Sequence, residues 1–82
     1  MIPDDALPLT QARPGQPLRL IKIGGGRRLR HRLAEMGLTP GLEFSVLHAH
    51  GGPLLLAVRD YRLAVGRGMA EQIFVQPSGV EG

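Results

Sequence analysis

Apolar and polar residues alternate along several short stretches of this chain, a pattern that is typical of β-strands with one buried face. In the clearest stretch, Leu42, Phe44 and Val46 fall on one side of a strand. His48 continues this inner phase near the end of the same strand. The pattern predicts a mainly β chain with five strands, at Leu18–Ile23, 42–49, Leu54–Val58, 62–65 and 73–75.

A different spacing marks the segment from Arg27 to Gly41. Leu29, Leu33 and Met36 recur at helical intervals and supply one apolar stripe, while arginines fill most of the remaining positions. Gly37 is suited to the left-handed conformation that ends many helices, and Leu38 can then fold back onto Leu33. The pattern predicts a short basic helix with a glycine stop.

Turn signals divide the rest of the chain. Pro14-Gly15 and Pro40-Gly41 each favour a type II turn before a strand, and Asp60-Tyr61 is a candidate for a tight hairpin. We expect single helical turns at 9–12 and within 66–71. The domain proper should run over residues 7–76, with residues 1–6 and 77–82 as flexible termini.

Short strands joined by tight turns leave exposed edges unless the sheet curls onto itself. We therefore expect a small, closed SH3-like barrel with one α-helix inserted between its first and second strands. The helix should cover one opening of the barrel with its apolar stripe.

Composition limits the chemistry that is open to these 82 residues. Without cysteine, disulfides and thiolate zinc sites are excluded, which suits a reducing cytoplasm. The apolar run at Leu54–Val58 is far shorter than the ~20 residues that cross a bilayer. The net charge of +3 comes from nine arginines and one lysine against seven acidic residues. Four of those arginines lie in the predicted helix, where they suit phosphate, an anionic lipid surface or an acidic protein. The alternative, which charge runs in small domains favour, is a solvated helix face that keeps the chain soluble.

Catalysis is not expected. The glycines at 24–26 lack the Gly-Lys-Ser/Thr ending of a phosphate-binding loop. Ser45 and Ser78 have no evident base or oxyanion setting, and a cysteine nucleophile is absent. The sequence predicts a protein that is not an enzyme.

Two histidines form the candidate metal site. His48 and His50 are two residues apart, so on a continuing strand their imidazoles point to the same side and could hold Fe²⁺ or Zn²⁺ weakly. The alternative is a polar hairpin end that happens to contain histidine. His31 and Glu35, one helical turn apart, form a second pair, which is better suited to a surface ion pair.

Three strings together, PGQPLRLIKIGGG, RLAEMGLTPG and RLAVGRGMAEQIFV, resemble the ferrous iron transport protein A family. The resemblance covers nearly all of residues 7–76 and implies an SH3-like barrel that assists ferrous iron uptake in the cytoplasm. It also implies docking on a membrane ferrous iron permease or on its cytosolic GTP-binding domain. We expect no required cofactor. Related domains occur at the C-terminus of some metal-dependent repressors.

A candidate docking face follows from residues that are out of phase with the core. Leu47, Leu55 and Phe74 should lie near the surface, where a contiguous apolar group marks a contact site. We hypothesise that such a patch, flanked by Arg27, Arg28 and Arg32, binds the permease or a second copy of the chain.

Two other functions stay open from the sequence. The basic helix on a small barrel is compatible with nucleic-acid binding, but the chain has only three aromatic residues to stack on bases, so we expect no nucleic-acid partner. A metal-responsive regulatory domain is the second alternative. It would need a true metal site.

Overall fold

The computed structural model of this chain describes residues 5–49 and 51–78. Its elements in chain order are β1 (Leu7–Pro8), a 3₁₀ turn (Leu9–Gln11), β2 (Leu18–Ile23), α1 (Arg27–Glu35), β3 (Glu43–His48), β4 (Leu54–Val58), β5 (Tyr61–Val65), α2 (Arg67–Ala70) and β6 (Ile73–Pro77). The mainly β composition and the helix between the long strands β2 and β3 are as predicted, and so are the two short helical turns. The two-residue strand β1 was not predicted.

All six strands join one antiparallel sheet in the order β1-β6-β2-β3-β4-β5. The predicted SH3-like fold is confirmed, but the predicted closure is wrong, because β1 and β5 do not pair with each other and the sheet is open. One reason lies in β1, which is two residues long and ends at a proline, a residue that has no N–H to donate to a ladder.

The core lies on the inner face of this curved sheet. It is formed by inward residues of β2, β3, β4, β5 and β6 together with five residues from outside the strands, Leu9, Leu33, Leu38, Leu42 and Ala70. No polar or charged side chain is buried among the residues that the structure describes. The fold is therefore held by apolar packing, as the absence of cysteine requires.

α1 covers the core with the stripe that its sequence predicts. Leu33 is fully buried, and Leu29 and Met36 pack against the core while partly exposed. The helix ends as predicted, with hydrogen bonds from the Leu38 N–H to the Leu33 carbonyl and from the Gly37 N–H to the Ala34 carbonyl, both 2.9 Å. These two bonds define a Schellman stop.

The two Pro-Gly turns also form as predicted, with positive φ angles of 85° at Gly15 and 96° at Gly41. The hairpin between β4 and β5 differs by one residue from the prediction. Val58 pairs with Tyr61, so Arg59 and Asp60 are the two turn residues and Tyr61 begins the strand. Arg59 takes the positive φ, 52°, instead of tyrosine.

A bulge in β3 changes the phase of its last residues. Val46 pairs with Leu56, but the next registered pair is His48 with Leu55, so β3 uses one extra residue there. The expectation that His48 continues the inner face is therefore wrong, and His48 is exposed. The extra residue resets the in-out alternation that a sequence pattern assumes to be unbroken.

Candidate interaction surfaces

The outer side of α1 is a basic surface. Arg27, Arg28, His31, Arg32 and Glu35 line one shallow depression on it, and all five are exposed. The Nε2 atom of His31 lies 3.3 Å from Oε2 of Glu35, which is the pairing that their spacing predicts.

The four arginines of α1, namely Arg27, Arg28, Arg30 and Arg32, are exposed and form no ion pair with any residue that the structure describes. We call these four side chains the arginine face. In the whole chain, the six basic residues outside α1 are matched by six acidic ones. The net charge of +3 therefore equals that of α1 alone, with its four arginines and one glutamate.

A second surface lies on the outer side of β3, β4 and β5. Leu47 is 38% exposed, and with Tyr61 it makes up the exposed large apolar residues of the described chain. The half-buried Leu55 lies beside it, since Leu55 is paired with His48 on one side and with Ala64 on the other. We call Leu47, Leu55 and Ala64 the outer apolar strip.

Phe74 lies elsewhere. It is half-buried on β6, where it pairs with Lys22 of β2 and Pro8 of β1. Its ring also approaches Gly24, just before α1, with a ring carbon 3.7 Å from the position that a Cβ on Gly24 would take. Phe74 therefore belongs to the end of the sheet at which α1 begins.

The residues of the predicted docking face are thus divided. α1 reaches the β4–β5 hairpin at its C-terminal end, where the Tyr61 hydroxyl donates to the Met36 carbonyl. Leu47 lies toward the opposite end of the strands, three residues or about 10 Å beyond Phe44, which is level with that hairpin. The structure brings Leu47 and Leu55 together but separates them from Phe74 and from the arginine face. Whether any of these surfaces binds a partner stays a prediction.

Only one of the two histidines of the predicted metal site lies among the described residues. His48 lies at the end of β3, and His50 lies outside the described residues. Within residues 5–49 and 51–78, no three or more histidine, aspartate or glutamate side chains are grouped as a metal site would need. The pairing of His48 with His50 on one ion stays a prediction.

Two surface contacts were not predicted from the sequence. Nη2 of Arg67, the first residue of α2, donates a 2.8 Å hydrogen bond to the Ala49 carbonyl, which ties α2 to the residue after β3. The second contact is that of Tyr61 with Met36. Both join residues far apart in sequence, so no local pattern could have indicated them.

A comparison with family models matches residues 7–77 to the FeoA domain. The chain belongs to the FeoA family. The match includes every strand and helix of the fold, from β1 to β6. It bears out the resemblance seen in the sequence, and it places the chain in a family associated with Fe²⁺ transport.

Individual relatives agree with this FeoA assignment. A protein of Methanocaldococcus jannaschii, named as a candidate Fe(2+) transport protein A, is 32% identical over 69 residues, which cover 84% of each chain. A crystal structure entitled iron uptake regulatory protein (FeoA) superimposes with a TM-score of 0.79 at 37% identity and covers 87% of this chain and 95% of its own.

The fold of this FeoA chain also recurs inside a larger protein. A manganese-dependent transcriptional repressor superimposes with a TM-score of 0.82 at 20% identity, covering 93% of this chain but 38% of the repressor. At this identity the likeness concerns the fold alone. Among the described residues of the FeoA chain, none of the helices has the length and apolar content needed to span a bilayer.

Proposed function

We propose that this FeoA-family chain is a small, non-enzymatic accessory protein of ferrous iron uptake that docks on the cytosolic part of a membrane ferrous iron permease. The observation that carries the proposal is the family match over residues 7–77, because it takes in every strand and helix of the part of the chain that the structure describes. The described residues bury no charged or polar side chain, which suits recognition at the surface better than chemistry in a pocket.

We assign the docking to the outer apolar strip. Contact cores between proteins are depleted of charge, and Leu47 and Leu55 meet this requirement at adjacent positions on neighbouring strands. Leu47 is exposed although leucines of this domain are otherwise mostly buried. Covering it would remove apolar surface from water, and this is the main driving force of protein association.

Docking alone does not regulate a permease. A bound domain shifts an equilibrium only when it binds one conformation more tightly than the other. The proposal therefore requires that the permease presents a complementary apolar surface in one state of its transport or GTP cycle. The domain itself needs no cofactor for this role and acts at the cytoplasmic side of the membrane.

The test is co-purification of the full chain with its permease from detergent-solubilised membranes, with and without guanine nucleotide. The double variant Leu47→Glu and Leu55→Glu places two carboxylates on the strip and should abolish retention, because each charge would be desolvated in the contact. A matched control, Gln11→Glu with Thr39→Glu, adds the same charge at two positions outside the strip.

Retention of the strip variant at the level of the unchanged chain would remove the strip as the docking surface. Failure of the unchanged chain to be retained under every nucleotide condition would overturn the proposed function itself. Circular dichroism of both variants establishes that the fold is intact in each comparison.

A further inference from the structure

The arginine face contributes neither ion pairs nor core packing to the described part of the fold. Its four guanidinium groups form no ion pair among the described residues, and the stripe that packs on the core is the opposite side of the helix. The formal net charge of this one helix equals that of the entire chain. Such a concentration of positive charge on one helix favours binding to an anionic partner.

Helix stability does not explain the arginines either. The first turn of α1 holds Arg27, Arg28 and Arg30 and no acidic residue, and no side chain caps the exposed N–H groups there. Positive charge near a helix N-terminus is unfavourable, because the aligned peptide dipoles already place partial positive charge at that end. The arrangement therefore weakens the helix slightly while it strengthens the positive potential outside it.

The shape of this surface favours one kind of anionic partner. The depression on α1 is shallow and is lined by residues of the helix alone, without a wall from a second element. An open, charged surface of this kind does not enclose a single ligand, but it can lie against a plane of many phosphate groups. Guanidinium groups bind phosphate through two parallel hydrogen bonds.

We infer that the arginine face binds the surface of a membrane that contains anionic phospholipids. The contact is electrostatic and peripheral, since the outer side of α1 carries charged side chains and no large exposed apolar residue. It uses a different surface from the outer apolar strip, so lipid contact and protein docking can occur together. The inference does not depend on the proposed docking to a permease.

Sedimentation of the full chain with vesicles tests the inference directly. Vesicles of phosphatidylcholine with roughly one third phosphatidylglycerol should bind the chain in low salt, and vesicles of phosphatidylcholine alone should not. Raising the salt to about 0.5 M should release the chain, because it screens charges beyond a few ångströms.

A matched pair of variants separates the helix from net charge. The helix variant changes Arg27, Arg28, Arg30 and Arg32 to glutamine, whose helix propensity is close to that of arginine. The control variant changes Arg13, Lys22, Arg59 and Arg62 to glutamine, so both lose four exposed positive charges. We expect the helix variant to bind the anionic vesicles at least about tenfold more weakly than the unchanged chain. The control variant should lose less affinity than the helix variant.

Three results would overturn the inference. Equal losses in the two variants would assign binding to net charge, and equal binding to neutral vesicles would remove the electrostatic basis. Absence of binding to the anionic vesicles would also overturn it, and arginine-dependent retention on the solubilised permease would then assign the face to a protein. Because the vesicles contain no permease, failure here leaves the proposed docking to be decided by its own co-purification test. Far-ultraviolet circular dichroism shows whether each variant is folded.

Discussion

The phenol oxygen of Tyr61 donates a 2.7 Å hydrogen bond to the backbone carbonyl of Met36, the residue that caps α1. This contact joins the first residue of β5 to the end of the helix across 25 positions of sequence. The carbonyl at a helix end has no partner within the helix, so the tyrosine supplies one. Through this contact, the end of α1 that leads into β3 is fixed to the β4–β5 hairpin.

Removing the Tyr61 hydroxyl measures how much this hydrogen bond stabilises the fold. We expect Tyr61→Phe to lower the free energy of unfolding by about 1 kcal/mol, the ordinary net contribution of one hydrogen bond in a protein. Urea denaturation followed by circular dichroism checks this value. An unchanged midpoint would mean that water replaces the tyrosine at the Met36 carbonyl without loss.

Gly37 should tolerate no side chain while Tyr61 is present. Its φ of 92° is unfavourable for residues with a Cβ, and an added Cβ would overlap the Tyr61 hydroxyl. We expect Gly37→Ala to destabilise the chain by at least about 2 kcal/mol.

A double variant separates the two causes of that loss. In a Tyr61→Phe background the hydroxyl is gone, and the nearest remaining ring carbon is 3.7 Å from the added Cβ, an ordinary contact distance. The Gly37→Ala penalty should therefore shrink by about 1 kcal/mol in a double-mutant cycle of unfolding free energies. Strictly additive losses would show that backbone strain alone excludes alanine.

Arg59 is a position at which a substitution should stabilise the chain. Arg59 opens the β4–β5 turn with a φ of 52°, at a place where type II′ turns favour glycine. We expect Arg59→Gly to raise the unfolding free energy by about 0.5 kcal/mol, since relief of strain exceeds the entropy that glycine adds to the unfolded chain.

Asp60→Gly is the matched control for the Arg59 variant. Asp60 is the other residue of the same turn and has no positive φ, so glycine brings it only the entropic penalty. Thermal denaturation should therefore move the two melting temperatures in opposite directions. Movement in the same direction would contradict the strain at Arg59.

The histidine pair predicts a weak metal site. We expect Zn²⁺ titrated into the chain by calorimetry to bind weakly and to be removed by a mild chelator, because two imidazoles leave half of a tetrahedral shell to water. Replacing both His48 and His50 with alanine should abolish the heat, whereas His31→Ala should leave it unchanged. Heat that persists in the double variant would place the ion elsewhere.

Local features of the fold could be predicted because each is decided by a few neighbouring residues. The helix stop at Gly37 and the Pro-Gly turns need only a backbone conformation that glycine adopts readily. The arginine face follows in the same way, since exposure of α1 is set by where Leu29, Leu33 and Met36 fall.

Features decided by distant residues could not be predicted. The open sheet depends on how β1 and β5 end, and the bulge at Leu47 and His48 depends on the partner strand. For the same reason, the sequence predicts a single docking patch where the structure has separate surfaces. Alternation shows that Leu47, Leu55 and Phe74 point outward, but only the strand order shows that Phe74 lies on another part of the sheet.

The two register shifts in the sheet disfavour slippage of one strand along its neighbour. One lies between Leu20 and Lys22 in β2, and the other lies between Val46 and His48 in β3. If β4 slid by one residue along β3, Leu54, Leu56 and Val58 would all turn from the core toward water. A bulge makes the pairing aperiodic, so a slipped strand would find no equivalent place for the extra residue. Irregularities in this short sheet thus favour a single alignment of β2 with β6 and of β3 with β4.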